Sequence, residues 1–194
     1  MRSLPSLVVV SIILSGCSRP IVVTPPTEPV RMERQRLLLA ALRSLGEDGD
    51  WLVIRGYHPT DHLISAVTNA PFSHVAVLDR ERDQVIEADR TGVHLTGLDA
   101  FALKAHRLLL VRPKWAALGR NREALTKVRG LVGRPYDFSG LVGLNVPDSY
   151  YCSELALAGY RPWVRPADHV PPVIPPHEML FWGRVIWDSG DPTD

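Results

Sequence analysis

The alternation of apolar and polar positions changes period several times along the chain, and each change marks an element. Leu38, Leu42 and Leu45 recur at helical spacing among arginines and glutamates, which predicts an amphipathic helix over residues 31–45 that ends in the Gly46–Gly49 segment. Asp50-Trp51-Leu52-Val53-Ile54-Arg55 reads as a strand, and residues 60–69 as a short helix opened by Thr60 or Asp61 and closed near Asn69. Two alternating runs, Phe72–Leu78 and Gln84–Ala88, flank the charged turn Asp79–Asp83 and predict a hairpin. A strand over Gly92–Thr96, a helix over Leu98–Lys104 and a strand over Arg107–Arg112 follow, the last stopped by Pro113. Leu118, Leu125, Val128 and Val132 share roughly one face of a helix over 118–131, and residues 152–160 form another. The proline-rich stretch 161–176 is coil, Pro175–Leu180 begins a last helical turn, and Gly183–Trp187 is a final strand. The fold class is α+β, with a mostly antiparallel sheet packed against helices.

The first thirty residues follow another pattern. Arg2 precedes an apolar run, Leu7–Leu14, of signal-peptide length and too short for a bilayer span of ~20 residues. It ends in Leu14-Ser15-Gly16-Cys17, which resembles the lipobox of bacterial lipoproteins. That resemblance implies residues 1–16 as a signal peptide and Cys17 as the lipidated first residue of the mature chain. With Ser18 rather than an acidic residue following, it also implies an envelope lipoprotein on the periplasmic face of the outer membrane. Residues 17–30 then form a proline-rich tether from a membrane anchor, and residues 31–194 the folded domain.

Composition narrows the function. About 160 residues suffice for one core without staples. The balance of 22 Lys+Arg against 21 Asp+Glu, with no basic run, argues against nucleic acid as a partner. Only two cysteines occur, so a lipidated Cys17 leaves Cys152 without a disulfide partner in the chain. Thiolate zinc sites need more than one thiol. His58 and His62 are spaced i, i+4, but no HExxH glutamate accompanies them, and no metal or organic cofactor is expected.

The candidate chemistry lies in three residues. Phe72, His74, Ala76 and Leu78 share one strand face. If the hairpin is centred between Arg80 and Glu81, His74 lies directly opposite Glu87; a two-residue shift keeps both on that face, and a one-residue slip separates them. A carboxylate beside an imidazole fixes its tautomer and supports its charged form. His94, on the next strand, is the alternative orienting group. Cys152 sits where a loop becomes a helix, with Asp148 or Ser149 available as cap, and the unpaired amides there favour a thiolate. The same Cys shares a helical face with Leu155, Ala156 and Gly159, which also suits a small buried packing residue.

The order Gly49-Asp50-Trp51-Leu52-Val53, Ser73-His74-Val75-Ala76-Val77, Val85-Ile86-Glu87-Ala88, Tyr136-Asp137 and Tyr151-Cys152-Ser153-Glu154-Leu155 resembles the circularly permuted NlpC-type papain-like hydrolases of the YiiX/YebB-like branch. In ordinary papain-like enzymes the Cys helix comes before the His strand; here His74 comes first. The resemblance implies a permuted papain-like fold with the nucleophile at a helix N-terminus. It implies Cys152 as nucleophile, His74 as base and Glu87 as orienting residue, with Tyr136 and Tyr151 lining the oxyanion or substrate. The implied activity is amide hydrolysis through a Cys thioester, on a peptidoglycan stem peptide or related amide. A lipid-directed acyl hydrolase or acyltransferase using the same pair, and an inactive envelope binding module, are the alternatives.

Overall fold

The computed structural model describes residues 22–144 and 146–192. Cys17 and the apolar run before it, and with them the predicted signal peptide and lipidation site, lie outside the described residues. Six strands form one antiparallel sheet: β1 (Trp51–Gly56), β2 (His74–Asp79), β3 (Gln84–Asp89), β4 (Gly92–Gly97), β5 (Ala105–Pro113) and β6 (Gly183–Asp188), in the order β4-β3-β2-β1-β5-β6. Among the described residues five α-helices accompany them: α1 (Glu28–Leu45), α2 (Pro59–Thr68), α3 (Leu98–Leu103), α4 (Arg120–Arg129) and α5 (Cys152–Ala158). The α+β class and the antiparallel sheet are as the sequence predicts.

The central strands carry apolar runs, Trp51–Ile54, Val75–Leu78 and Leu108–Val111, because both faces are covered. Trp51, Val53, Val75, Val77 and Ile86 pack with α4, α5 and the C-terminal residues Met179 and Trp182. Leu52, Ile54, Ala76, Leu78 and Leu108 pack with Leu38 and Leu42 of α1 and with Leu98 and Phe101 of α3. Trp51 ties the first face together. It is fully buried, meets Trp115 and Tyr160 edge-on, and its Nε1–H donates to the Ala156 carbonyl of α5 at 3.1 Å. Trp51→Ala should lower stability by about 3–5 kcal/mol, since no neighbour can fill the void. A urea midpoint within experimental scatter of the parent would contradict this role. Gly159, just after α5, lets α4 approach: a Cβ there would lie 2.9 Å from the Ala124 carbonyl oxygen.

Boundaries differ from expectation where backbone geometry decides them. α1 begins three residues early and takes in Glu28–Val30 of the expected tether, because Pro29 suits a first helical turn. The helix expected over 118–131 is broken by Gly119 in the left-handed conformation (φ 79°), so a 3-10 turn precedes α4. The coil expected over 161–176 contains 3-10 turns at Arg161–Trp163 and Pro166–Asp168.

The hairpin register also differs. Ala76 rather than His74 pairs with Glu87, and the last pair is Asp79↔Gln84. A 3-10 turn at Arg80–Arg82 followed by left-handed Asp83 (φ 50°) moves the hairpin centre by one residue and the register by two. His74 and Glu87 therefore stay on one face and meet diagonally.

Candidate active site

The site forms where β2 and β3 part. Their pairing stops at Ala76↔Glu87, while β2 stays with β1 as far as Ile54↔His74. The Leu78 amide donates to Asp50 on the β1 side, so alternation turns the Val75 amide towards β3. With no β3 residue paired there, that amide meets the Cys152 sulfur instead. α5 packs on β2 and β3, and Cys152 is its first residue.

Each side chain is fixed by local structure. His74 opens β2. Before it, the buried Ser73 donates its hydroxyl to Asp61 of α2 (2.8 Å) and accepts the Gly56 amide (3.0 Å), which anchors the strand start. His74 Nε2 lies 2.8 Å from Glu87 Oε2, so this nitrogen carries the proton and donates it to the carboxylate. The other side of the imidazole hydrogen-bonds the Cys152 thiol, and Nδ1 is the nitrogen left for it. The Ser153 hydroxyl is 3.7 Å from the same sulfur, and Cys152 is only 6% exposed.

Glu87 is buried, and its far oxygen is as heavily engaged as its near one. Oε1 accepts the Thr96 hydroxyl at 2.5 Å and the Lys104 ammonium at 2.6 Å. His94 Nε2 lies 3.5 Å from Oε1, and its Nδ1–H donates to the Gly92 carbonyl at 3.0 Å. His94 therefore touches the carboxylate, and Glu87 rather than His94 takes the His74 Nε2–H.

Burial opposes charge at all three groups, and their mutual contacts overcome it. Burial alone would lower the His74 pKa, but hydrogen bonds and charge from Cys152 and Glu87 raise it to about 10. Burial would raise Glu87, yet His74, Lys104 and Thr96 hold its carboxyl far below the usual range. Burial would likewise raise the Cys152 thiol, but His74, Ser153 and the Val75 amide bring it below its ordinary value. Such an arrangement favours a thiolate–imidazolium pair, the reactive form of a cysteine nucleophile.

Other expected participants have different places. The helix expected over 152–160 has seven residues, and neither Asp148 nor Ser149 caps it. Its N-cap is Tyr151; Ser149 donates to the Val146 carbonyl, and Asp148 adopts a left-handed turn. A helix this short contributes little dipole, so the thiolate depends on the imidazole, hydroxyl and amide around it. Tyr151 is a buried core residue whose hydroxyl accepts the Ile174 amide at 2.9 Å, and burial pushes its pKa to about 12. Tyr136 is half-buried beside Phe138; burial, with Cys152 next in weight, pushes its phenol up. Asp137 fixes the turn after Pro135 by accepting the Gly140 and Val146 amides. His58 caps α2, accepting the Thr60 amide on Nδ1. Lys104, Thr96 and the Val75 amide escape sequence reasoning. Thr96 alone carried a signal, two residues beyond His94 on the same strand face.

The chain matches the family described as permuted papain-like amidase enzyme, YaeF/YiiX, C92 family, over residues 47–168. The chain belongs to this family. The match spans β1 to α5 and contains His74, Glu87 and Cys152 in the permuted order. No curated protein matches the chain. As a permuted papain-like amidase, it is an enzyme of the cysteine peptidase/amidase type, and the α+β architecture is that of a permuted papain-like fold. Among the described residues no helix is long and apolar enough to cross a membrane.

Proposed function

We propose that the enzyme cleaves amide bonds of the cell envelope, with Cys152 as nucleophile, His74 as proton carrier and Glu87 as the residue that orients His74. One observation carries this reading: a single imidazole joins a buried carboxylate at 2.8 Å to a thiol whose other neighbours are donors. The thiolate adds to the substrate carbonyl carbon. The resulting oxyanion is placed near the Cys152 amide, which has no intrahelical acceptor at the first turn of α5, with the Tyr136 phenol as second donor. The imidazolium then gives its proton to the leaving amine, the C–N bond breaks, and a thioester remains. Water deprotonated by His74 attacks the thioester, releasing the acid and returning the proton to the imidazole–thiol pair. Substrate, thiol, imidazole and water supply every reacting atom, so these steps call on no cofactor.

The leader, Cys17 and the tether support a lipoprotein held at the periplasmic face of the outer membrane, facing peptidoglycan stem peptides and related amides. Mass spectrometry of the membrane-extracted protein should find a lipidated N-terminal Cys17, and Cys17→Ser should move the protein to the soluble fraction. A second reading, a lipid-directed acyl hydrolase or acyltransferase, draws support from an exposed apolar segment that follows Tyr136. Phe138, Val142 and Leu144 are 62%, 75% and 68% exposed there. Release of amines from peptidoglycan fragments supports the first substrate; release of fatty acid from phospholipid vesicles with no amine release supports the second.

The pair itself can be tested without a substrate. Iodoacetamide should label Cys152 at pH 6 at least ~10-fold faster than an ordinary thiol of pKa ~8.5 allows, and His74→Ala should abolish the advantage. Labelling of the parent with the pH dependence of an ordinary thiol would exclude the ion pair.

A further inference from the structure

The Glu87 carboxylate holds more partners than orienting one imidazole requires. Oε2 faces His74, while Oε1 takes both the Thr96 hydroxyl of β4 and the Lys104 ammonium at the C-terminal end of α3. Thr96 and Lys104 approach from different elements, so together they fix the carboxylate plane and direct Oε2 at the imidazole. Lys104 also packs over the Phe101 ring, 5.8 Å from its centroid, and Phe101 lies 6.2 Å from the His74 ring. That packing places the Lys104 ammonium on the far side of the same carboxylate that steadies the imidazolium.

We propose that Lys104 is a positioning residue of the active site, which clamps Glu87 through Oε1 and, by partly neutralising it, limits how strongly the carboxylate holds the proton on His74. The inference rests on the assignment of Cys152 and His74 above. A carboxylate alone with His74 would keep the imidazolium too stable to release its proton to a leaving amine; a carboxylate shared with a lysine holds it less tightly. Lys104 has a 43% exposed side chain, so its ammonium reaches the buried carboxylate while keeping contact with water. Thr96 is uncharged and contributes aim and one donated hydrogen bond, but no positive charge.

The other charged neighbours bear on the same equilibrium. Glu87 faces His74, His94 and Lys104, with Asp89 further along its own strand; Cys152 faces His74, with Tyr136 and Tyr151 beside it. Replacing Lys104 by methionine removes one positive charge from this group and leaves the others in place. Both the thiol and the imidazolium should then titrate at higher pH, because the protonated form of each is favoured when a nearby cation is lost.

The test is the pH dependence of Cys152 alkylation by iodoacetamide in the full chain. The parent should show two inflections, one where the thiolate forms and one where the imidazolium loses its proton. Lys104→Met should move both upward by roughly half to one pH unit, Lys104→Arg should keep them near the parent positions, and Thr96→Val should leave both in place. Thermal melts of each variant identify general loss of fold, which would not move two inflections in one direction. Two inflections in the parent with an unchanged Lys104→Met profile would overturn the inference and leave the nucleophile standing. A parent with a single ordinary thiol inflection would overturn both.

Discussion

Cys152→Ala should reduce amide hydrolysis by about 10⁴–10⁶-fold while leaving the fold intact. The substitution removes a sulfur that is 6% exposed and small, so packing loss is minor beside the loss of the only thiol in the domain. His74→Ala should cost nearly as much, because without the imidazole the buried sulfur loses its main stabilising partner and remains a thiol. The two effects should not add. Once the pair is broken, the second loss removes nothing further, and Cys152→Ala/His74→Ala should resemble either single variant. Cys152→Ser should also be nearly inactive, since a hydroxyl in this site does not ionise near neutral pH. The measurement is kcat on a released-amine assay, with circular dichroism to confirm folding. Parental turnover in Cys152→Ala would end the assignment.

Stability follows the same pair in a way that separates it from an ordinary buried histidine. Between the usual imidazole pKa of ~6.5 and the usual thiol pKa of ~8.5, the unfolded chain holds one proton on this pair, on sulfur. The folded pair also holds one, on nitrogen, so stability is independent of pH there. Below ~6.5 the unfolded chain takes up a second proton before the folded one does, and the contribution falls as pH falls through the depressed thiol pKa. Above ~8.5 the unfolded chain has lost its proton while His74 keeps its own to about 10, so the contribution declines as pH rises towards that value.

Much of this was legible in the sequence, and the gaps have identifiable causes. Apolar runs and period-two alternation located the six strands of the described residues, and alternation put His74 and Glu87 on one face without fixing which residues pair. The register depended on Asp83 adopting a left-handed conformation at the end of a 3-10 turn, which a run of charged residues does not announce. The cap at Cys152 was misplaced because Asp148 and Ser149 are used by the preceding turn. Lys104 was invisible because its partner is 17 residues away and its own helix ends at Leu103, so no local pattern links them. The Val75 amide was equally hidden, since it matters only where two strands part, and strand separation leaves no mark on side-chain periodicity.

Glu87→Gln is the second large expected effect, and it discriminates most sharply among the roles assigned above. The amide still accepts a hydrogen bond from His74 Nε2 but carries no charge, so burial now dominates and the imidazolium loses its support. Turnover should fall about 10²–10⁴-fold, the range expected when an orienting carboxylate is neutralised with its geometry kept. The upper inflection of Cys152 alkylation should move down from about 10, opposite in sign to the shift from Lys104→Met. Stability adds a second readout. Because Glu87 is held far below its usual range, its contribution is complete above ~4.5 and lost as pH falls through the folded value. The parent's advantage over Glu87→Gln in urea should therefore be large at pH 7 and shrink below pH ~4.5. Parental turnover in Glu87→Gln would remove the orienting role from this residue. Opposite displacements of one inflection from the two ends of a single ion pair cannot come from loosened packing, which would shift both variants in the same direction.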